Sequence, residues 1–373
     1  MKNKIILFFA TFYIINFQSQ IYNVINYGVT NNSKNSDKAL QSLIIKLKKE
    51  NSANKVQSTL FFPTGKYIIN TPIVLDKYIS VKGEDSNLTI IQTIDQNDVF
   101  ILENNKSEND IYRYNLVENI TILGPDYNQN PFGYKDKTKV YNNSTAIRVN
   151  GLRTRINNVT IKGFMNAAIL VESSYYTYIN NCFINSNATG IKIQKTSTST
   201  FVQNSEIRNN SIGIIISNSF GNFIQNNIIE SNLGEYLAYD KTKYLANSMG
   251  KAIVLDNSKN NNIQNNYIEN HYLNFHLKDA ENNIISNNFI AITDYTRDQN
   301  GKSQILLLMN GKSKNNNFSM NTTLSGKMNI DLNNIELGDQ NYSSNIINLG
   351  KENNKLIKNK FKNLETKSPT ILD

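Results

Sequence analysis

Ile156-Asn-Asn158-Val-Thr-Ile161, Ile179-Asn-Asn181-Cys-Phe-Ile184, Val202-Gln-Asn204-Ser-Glu-Ile207, Ile224-Gln-Asn226-Asn-Ile-Ile229, Ile263-Gln-Asn265-Asn-Tyr-Ile268 and Ile285-Ser-Asn287-Asn-Phe-Ile290 are one phrase written six times. Its third-position asparagines fall 23, 23, 22, 39 and 22 residues apart. A period in the low twenties, built from short β-type runs, is the signature of a solenoid whose repeats bury their apolar faces only against their neighbours. Helical repeats are longer and carry a 3.6-residue periodicity that is missing here. Each repeat holds a second apolar run: Ala146-Ile-Arg-Val149, Ala168-Ile-Leu-Val171, Gly190-Ile-Lys-Ile193, Gly213-Ile-Ile-Ile216, Ala252-Ile-Val-Leu255 and Gln304-Ile-Leu-Leu307. Strand alternation turns the second and fourth residues of each run inward and the third outward. Coils stacked roughly 4.8 Å apart then share one long core. The expectation is an all-β chain, a single-stranded parallel β-helix.

Asparagine suits the corners, because it tolerates left-handed backbone angles and its amide can bond to the same amide one coil away. A general bias toward Asn, Lys and Ile would enrich it everywhere, so its fixed phase against the aliphatics is the informative feature. A leucine-rich repeat shares the period but needs a leucine framework that this chain lacks.

With 39% hydrophobic and 18% charged residues, the chain has material for a sizeable core and too little charge for disorder. Residues 1–20 read as a signal peptide: Lys2 and Lys4 open it, Ile5 to Phe17 form a mostly apolar run, and Gln18-Ser19-Gln20 close it. No segment approaches the roughly 20 apolar residues of a membrane span. The expected location is therefore secreted, periplasmic or cell-surface. Cys182 is the only cysteine, which rules out an internal disulfide. The formal charge of +9 favours acidic partners such as uronate polymers, although the basic residues are scattered. No basic stripe with interleaved aromatics points to nucleic acid.

The N-terminal part carries a distinct opening. Val24-Ile-Asn-Tyr-Gly28 is followed by Asp37-Lys-Ala-Leu-Gln41, which leads a short helix to about Lys49; then come Leu60-Phe-Phe-Pro-Thr-Gly-Lys-Tyr-Ile-Ile69 and Val81-Lys-Gly83. This opening resembles the pectate-lyase superfamily, in particular its rhamnogalacturonase and epimerase-like branch related to glycoside hydrolase family 28. The resemblance implies a right-handed, pectate-lyase-like β-helix. It covers residues 21–95 by motif and the coils to about 361 by architecture. Ser36 can cap the helix, and its stripe of Leu40, Leu43, Ile44 and Leu47 can close the first coil, whose open edge would otherwise invite aggregation. The polygalacturonase Asn-Thr-Asp, Asp-Asp, Gly-His-Gly and Arg-Ile-Lys signatures do not occur, nor does the epimerase Asp-Pro-His site. No catalytic set carries over residue by residue.

The expected organisation is a signal peptide (1–20), an N-terminal cap with the first coils (21–95), further coils (96–363) and a polar tail (364–373). Insertions at about 124–143, 232–250 and 293–303 interrupt the repeat at one place, between the asparagine-bearing strand and the following apolar strand, and should wall two clefts on one side. In the second cleft, Glu230 and Glu269 occupy the same repeat position on neighbouring coils, with Arg208 one coil before and His271 two residues beyond Glu269. Glycoside hydrolysis needs such a carboxylate pair, about 5–5.5 Å apart for retention and about 6.5–9.5 Å for inversion. A lyase needs a cation on the uronate carboxylate and a base beside the proton removed. The candidate catalytic residues are Glu230, Glu269, His271 and Asp294; the candidate substrate-binding residues are Arg208, Tyr236, Tyr239, Tyr272 and Arg297. Arg208, Glu230 and Glu269 also fit a solvated charge ladder that merely supports stacking.

The first cleft offers Arg148, Arg153, Arg155, Glu172 and Lys192 with Tyr175, Tyr176 and Tyr178, a floor suited to an anionic chain. No cofactor motif or metal cluster is indicated; the family resemblance alone brings in calcium, which relatives sometimes hold. The expected function is that of a secreted polysaccharide-active enzyme, a glycoside hydrolase ahead of a polysaccharide lyase, acting on an acidic polysaccharide such as pectin. The alternative is a non-catalytic carbohydrate-binding or adhesion protein on the same scaffold. Monomer and trimer are both open.

Overall fold

Aliphatics at alternate positions in three short runs per repeat force the chain to turn three times per coil, so that each run faces the same interior. The structure, a computed structural model, describes residues 20–31, 36–54, 56–76, 78–95, 97–104, 114–125, 144–232, 250–271, 273–292, 305–325 and 328–330, with short pieces from 342 to 366. It is a right-handed parallel β-helix. Every third strand is a hydrogen-bonded neighbour, which gives three parallel ladders. The first runs through Thr189–Gln194, Ile212–Ser217, Lys251–Asp256, Leu273–Lys278 and Ile305–Asn310. The second runs through Thr198–Gln203, Phe223–Gln225, Asn262–Gln264, Ile284–Ser286 and Asn317–Ser319. The third runs through Glu206–Arg208, Ile228–Glu230, Tyr267–Glu269, Phe289–Ile292 and Thr322–Ser325.

Both aliphatics of all six phrases are buried, at no more than 1% exposure. In the first sheet Ile147, Val149, Ile191, Ile193, Ile214 and Ile216 point inward while Arg148, Lys192 and Ile215 are only half-buried, as alternation requires.

The corners divide their work between two adjacent residues. Asn181, Asn204, Asn226, Asn265 and Asn287 take left-handed φ angles of 51° to 58°, the conformation an asparagine enters at least cost among side-chain-bearing residues. The residue that follows is the one that stacks. Asn227 donates both its backbone N–H and its Nδ2 to Asn266 Oδ1, each at 3.0 Å; Asn266 does the same to Asn288, and Asn288 to Asn321. The second Nδ2 proton reaches back to a carbonyl, Val202 for Asn227 and Ile224 for Asn266. The corner between the first and second sheets repeats the device through Asn222, Asn261, Asn283 and Asn316. The corner after the third sheet repeats it through Asn187, Asn210 and Asn232. Each buried amide therefore satisfies itself and caps a neighbour's N–H.

Ser205 and Cys182 hold earlier rungs of the second-to-third-sheet corner, where Cys182 N–H donates to Ser205 Oγ. Burial pushes the Cys182 thiol up to about 12, so it sits there as a protonated apolar filler.

The cap is a helix, Ser36–Asn54, with Leu40, Leu43, Ile44 and Leu47 buried against the first coils. It runs a turn beyond the expected Lys49 because Asn51 is a buried anchor: its Nδ2 donates to Tyr78 O and its Oδ1 accepts from Ser58 Oγ. Ser36 ties the helix start to the segment after the Val24–Tyr27 turn, donating to Thr30 O at 2.9 Å and accepting from Thr30 N–H at 3.2 Å. Asp37 accepts from Asn70 N–H and Thr71 N–H, which fixes the helix against the second coil. Strands Lys355–Ile357 and Lys360–Phe361 stack on the second and third ladders. Leu364–Thr366, expected in the tail, pairs with Met328–Ile330. Residues 1–19 lie outside the described residues, as do most of the three insertions.

Because the two corner residues do different jobs, their substitutions should differ sharply. Asn266→Ala removes the acceptor of two Asn227 donors and should cost about 2–4 kcal/mol. Asn265→Gly, which only relieves a left-handed corner, should be neutral within about 0.5 kcal/mol. Urea unfolding of the two variants measures the contrast, and equal effects would place the ladder on the wrong residue.

Candidate functional site

On the outer face of the third sheet, strand register aligns Lys162, Asn185, Arg208, Glu230, Glu269 and Ala291 on successive coils. Glu230 and Glu269 are direct neighbours, and each ends its strand just before the corner that follows the third sheet. Arg208 donates from Nη1 to Glu206 Oε1 at 2.7 Å, and its Nη2 lies 3.5 Å from Glu230 Oε1. Glu269 has a different partner: Tyr267, two residues earlier on the same face, donates its hydroxyl to Glu269 Oε2 at 2.6 Å. That hydrogen bond to a carboxylate, together with burial, holds the Tyr267 phenol up to about 12, so the tyrosine is a fixed donor. The sequence-derived trio of Arg208, Glu230 and Glu269 is thus brought together, and Tyr267 joins it. Only the i, i+2 spacing on one strand face could have pointed to Tyr267.

His271 does not join them. It is fully buried and takes the next rung of the asparagine ladder, where Asn232 Nδ2 meets His271 Nε2 at 3.0 Å. Asn232 is a donor here, so Nε2 accepts and the imidazole proton belongs on Nδ1. Burial pushes the His271 pKa down to about 3, against a small opposing contribution from Asn274. A neutral ring with no exposed atom cannot take a proton from a polysaccharide outside the coil. The expectation of a catalytic His271 is corrected accordingly. Sequence spacing hid this, because the 39-residue step from Asn232 crosses an insertion and the rung residue is not asparagine. Asp294, Tyr236, Tyr239, Tyr272 and Arg297 lie outside the described residues.

The first-cleft residues separate onto two faces. On the first sheet, Arg148 donates to Asp98 Oδ2 at 2.7 Å and to Glu172 Oε2 at 2.8 Å, while Glu172 Oε1 accepts from Gln194 and Lys195. These contacts outweigh burial and hold the Glu172 carboxyl below its ordinary range. Arg148 and Glu172 therefore satisfy each other instead of offering a bare floor for an anionic chain. Further along the same sheet, Lys251 Nζ approaches His276 Nδ1 at 3.2 Å, and burial lowers the Lys251 pKa. This pair was not foreseen; its members are 25 residues apart and meet only because Val254 and His276 are register partners.

Arg155 and Tyr178 instead face a groove of about 940 Å³ over the second sheet. No described cluster of His, Cys, Asp and Glu is arranged to hold a metal ion, and no described helix is long and apolar enough to cross a membrane.

The sequence profile described as rhamnogalacturonase A/epimerase, pectate lyase-like, matches residues 21–238, more than half of the chain. The chain belongs to this family. The match extends from the cap through Arg208 and Glu230 and stops before Glu269. No curated protein sequence matches the chain. Among solved structures it is similar to the DFA-IIIase of Arthrobacter chlorophenolicus A6 in complex with GF2, at 14% identity over 86% of this chain and 79% of that one, TM-score 0.62. The mannuronan C-5 epimerase AlgE4 A-module of Azotobacter vinelandii aligns at 13% identity over 93% and 98%, TM-score 0.55. The enzymatically active domain of bacteriophage CBA120 tailspike protein 2 aligns at 12% identity over 94% and 47%, TM-score 0.59. At these identities the likeness is one of fold.

The buried His271 makes a pH prediction specific to this family member. Its folded-state pKa lies below the ordinary 6.5, so its contribution to stability is complete above about pH 6.5 and is lost as the pH falls toward 3. At pH 5 the loss should be about 2 kcal/mol. His271→Asn restores an ordinary rung and should remove this part of the acid sensitivity, read as the difference between wild-type and variant unfolding free energies at pH 7 and pH 5. An unchanged difference would mean that His271 is not held neutral in the ladder.

Proposed function

We propose that the protein is an exported enzyme acting on an acidic polysaccharide, with Glu230 and Glu269 as the carboxylate pair of a glycoside hydrolase. The observation that carries this reading is the register of the two glutamates on adjacent coils, beside a corner at which the chain departs from the repeat. Strand spacing of roughly 4.8 Å suits the shorter carboxylate separation, about 5–5.5 Å, of a retaining mechanism. Glu269, whose Oε2 accepts a hydrogen bond from the Tyr267 hydroxyl, is assigned as nucleophile. Glu230 is assigned as the acid that protonates the leaving oxygen and then as the base that activates water.

Family membership supports carbohydrate chemistry, and the similar solved structures named above include a mannuronan C-5 epimerase module and a DFA-IIIase in complex with GF2. The basic balance of the chain supports an acidic substrate, and the Lys2, Lys4 and Ile5-to-Phe17 pattern supports export.

A second reading rests on Lys251 and His276. A lysine of lowered pKa against an imidazole is a suitable base for abstracting the proton beside a uronate carboxylate, as elimination requires.

Incubation of the protein with pectins, alginate and neutral glycans separates these readings. Hydrolysis yields reducing ends alone; elimination also yields an ultraviolet-absorbing unsaturated uronate. Glu269→Gln should abolish hydrolysis with an unchanged unfolding midpoint, whereas His276→Ala should leave it intact. Unsaturated product lost in His276→Ala and kept in Glu269→Gln would overturn the assignment in favour of the first sheet. Binding without any product would favour the adhesion reading.

A further inference from the structure

The groove over the second sheet lies on a different face from the carboxylate pair, separated from it by the corner at Asn181, Asn204 and Asn226. We propose that this groove is a second binding surface, one that takes a carboxylated glycan chain. The inference rests on the reading of the protein as carbohydrate-active, but on none of the residues assigned to the reaction.

The groove floor is periodic. One row aligns Leu116, Arg155, Tyr178 and Phe201 on successive coils, and the adjacent row aligns Lys82, Glu118, Asn157, Asn180 and Gln203. A linear polymer laid along the axis would meet one member of each row per coil.

The aromatic row fixes what kind of polymer fits. Tyr178 and Phe201 are stacked at 5.0 Å and 5°, and Phe201 and Phe223 at 4.8 Å and 3°. These faces are consumed by one another, so the stack turns ring edges outward. Ring edges carry the positive end of the aromatic quadrupole and favour oxygen lone pairs. Bases of a single-stranded nucleic acid need free ring faces, and this row does not offer them between its members. An extended peptide needs an unpaired strand edge, whereas the strands of this floor are already paired to the coils on either side. The amide row, Asn157, Asn180 and Gln203, suits a partner rich in hydroxyl groups.

Charge selects an acidic glycan. Glu118, the carboxylate lining the groove, is held by Lys82 at 2.9 Å. Arg155 lies 4.2 Å over the Tyr114 ring; Arg153 donates to the Tyr114 hydroxyl at 3.0 Å and lies 4.9 Å over Tyr176. Among the described residues neither guanidinium is paired with a carboxylate. Both are oriented by aromatic contacts, and Arg155, the one of the two that lines the groove, keeps its charge for an external anion.

Binding of polygalacturonate to the Glu269→Gln protein, measured by calorimetry with dextran as neutral control and single-stranded DNA as competing polyanion, tests the proposal. Polygalacturonate should bind with an affinity that falls with salt, and dextran should not. Arg155→Gln should weaken binding about tenfold or more, and Tyr178→Ala, which breaks the stack, should also weaken it; the unfolding midpoint of Arg155→Gln should stay in place. A Lys195→Gln control, at the corner just after the first-sheet strand Thr189–Gln194 and outside the groove lining, should have no effect. Because turnover is not read, failure of the hydrolase assignment leaves this test standing. Absence of polygalacturonate binding, unchanged affinity in Arg155→Gln, or tighter binding of DNA would each overturn the proposal.

Discussion

Coil-to-coil hydrogen bonding by buried asparagine is the interaction on which the rest of this structure depends. A β-helix turns its chain sharply three times per coil, and each turn exposes backbone N–H groups that the sheets do not pair. A buried polar group left unpaired costs about 1–3 kcal/mol, and a stack of coils would multiply that penalty. Asn227, Asn266, Asn288 and Asn321 remove it in one column, while Asn222, Asn261, Asn283 and Asn316 remove it in another. With the corners rigid, the three sheets keep register over many coils. Residues far apart in sequence then meet as fixed neighbours: Glu230 with Glu269, Val254 with His276, Arg155 with Tyr178.

That rigidity explains how one scaffold presents several unrelated surfaces. The interior is a continuous, mostly aliphatic stack, so each outward position is free to change without disturbing the core. The first sheet carries an ionic cluster around Arg148 and Glu172 and, farther on, the Lys251 and His276 contact. The second carries an aromatic stack and an amide row, and the third a mixed column of charge ending in two glutamates. The corner after the third sheet is where the longest insertions leave, which sets the third and first sheets on either side of them.

His271 illustrates the pull between the two demands. Its position in the ladder asks for a side chain that accepts from Asn232, and a neutral imidazole does so at 3.0 Å. The consequence is a histidine that adds acid sensitivity to the fold and takes no part in surface chemistry.

The sequence by itself determined the coil. Aliphatic spacing fixed which side chains face inward, and the recurring asparagine marked the corner, because only a few residue types accept a left-handed turn. The capping helix was legible for the same reason: Leu40, Leu43, Ile44 and Leu47 fall on one helical face. The common position of Glu230 and Glu269 was legible too, since in-register strands turn equal repeat phase into contact. The tertiary structure alone decided that the residue after each corner asparagine forms the ladder, that His271 is one of its rungs, and that Arg155 and Arg148 face different sheets. It also decided that Lys251 meets His276. These outcomes depend on which way a side chain leaves a turn, and on contacts across an insertion whose length breaks the repeat count; neither is written in local spacing.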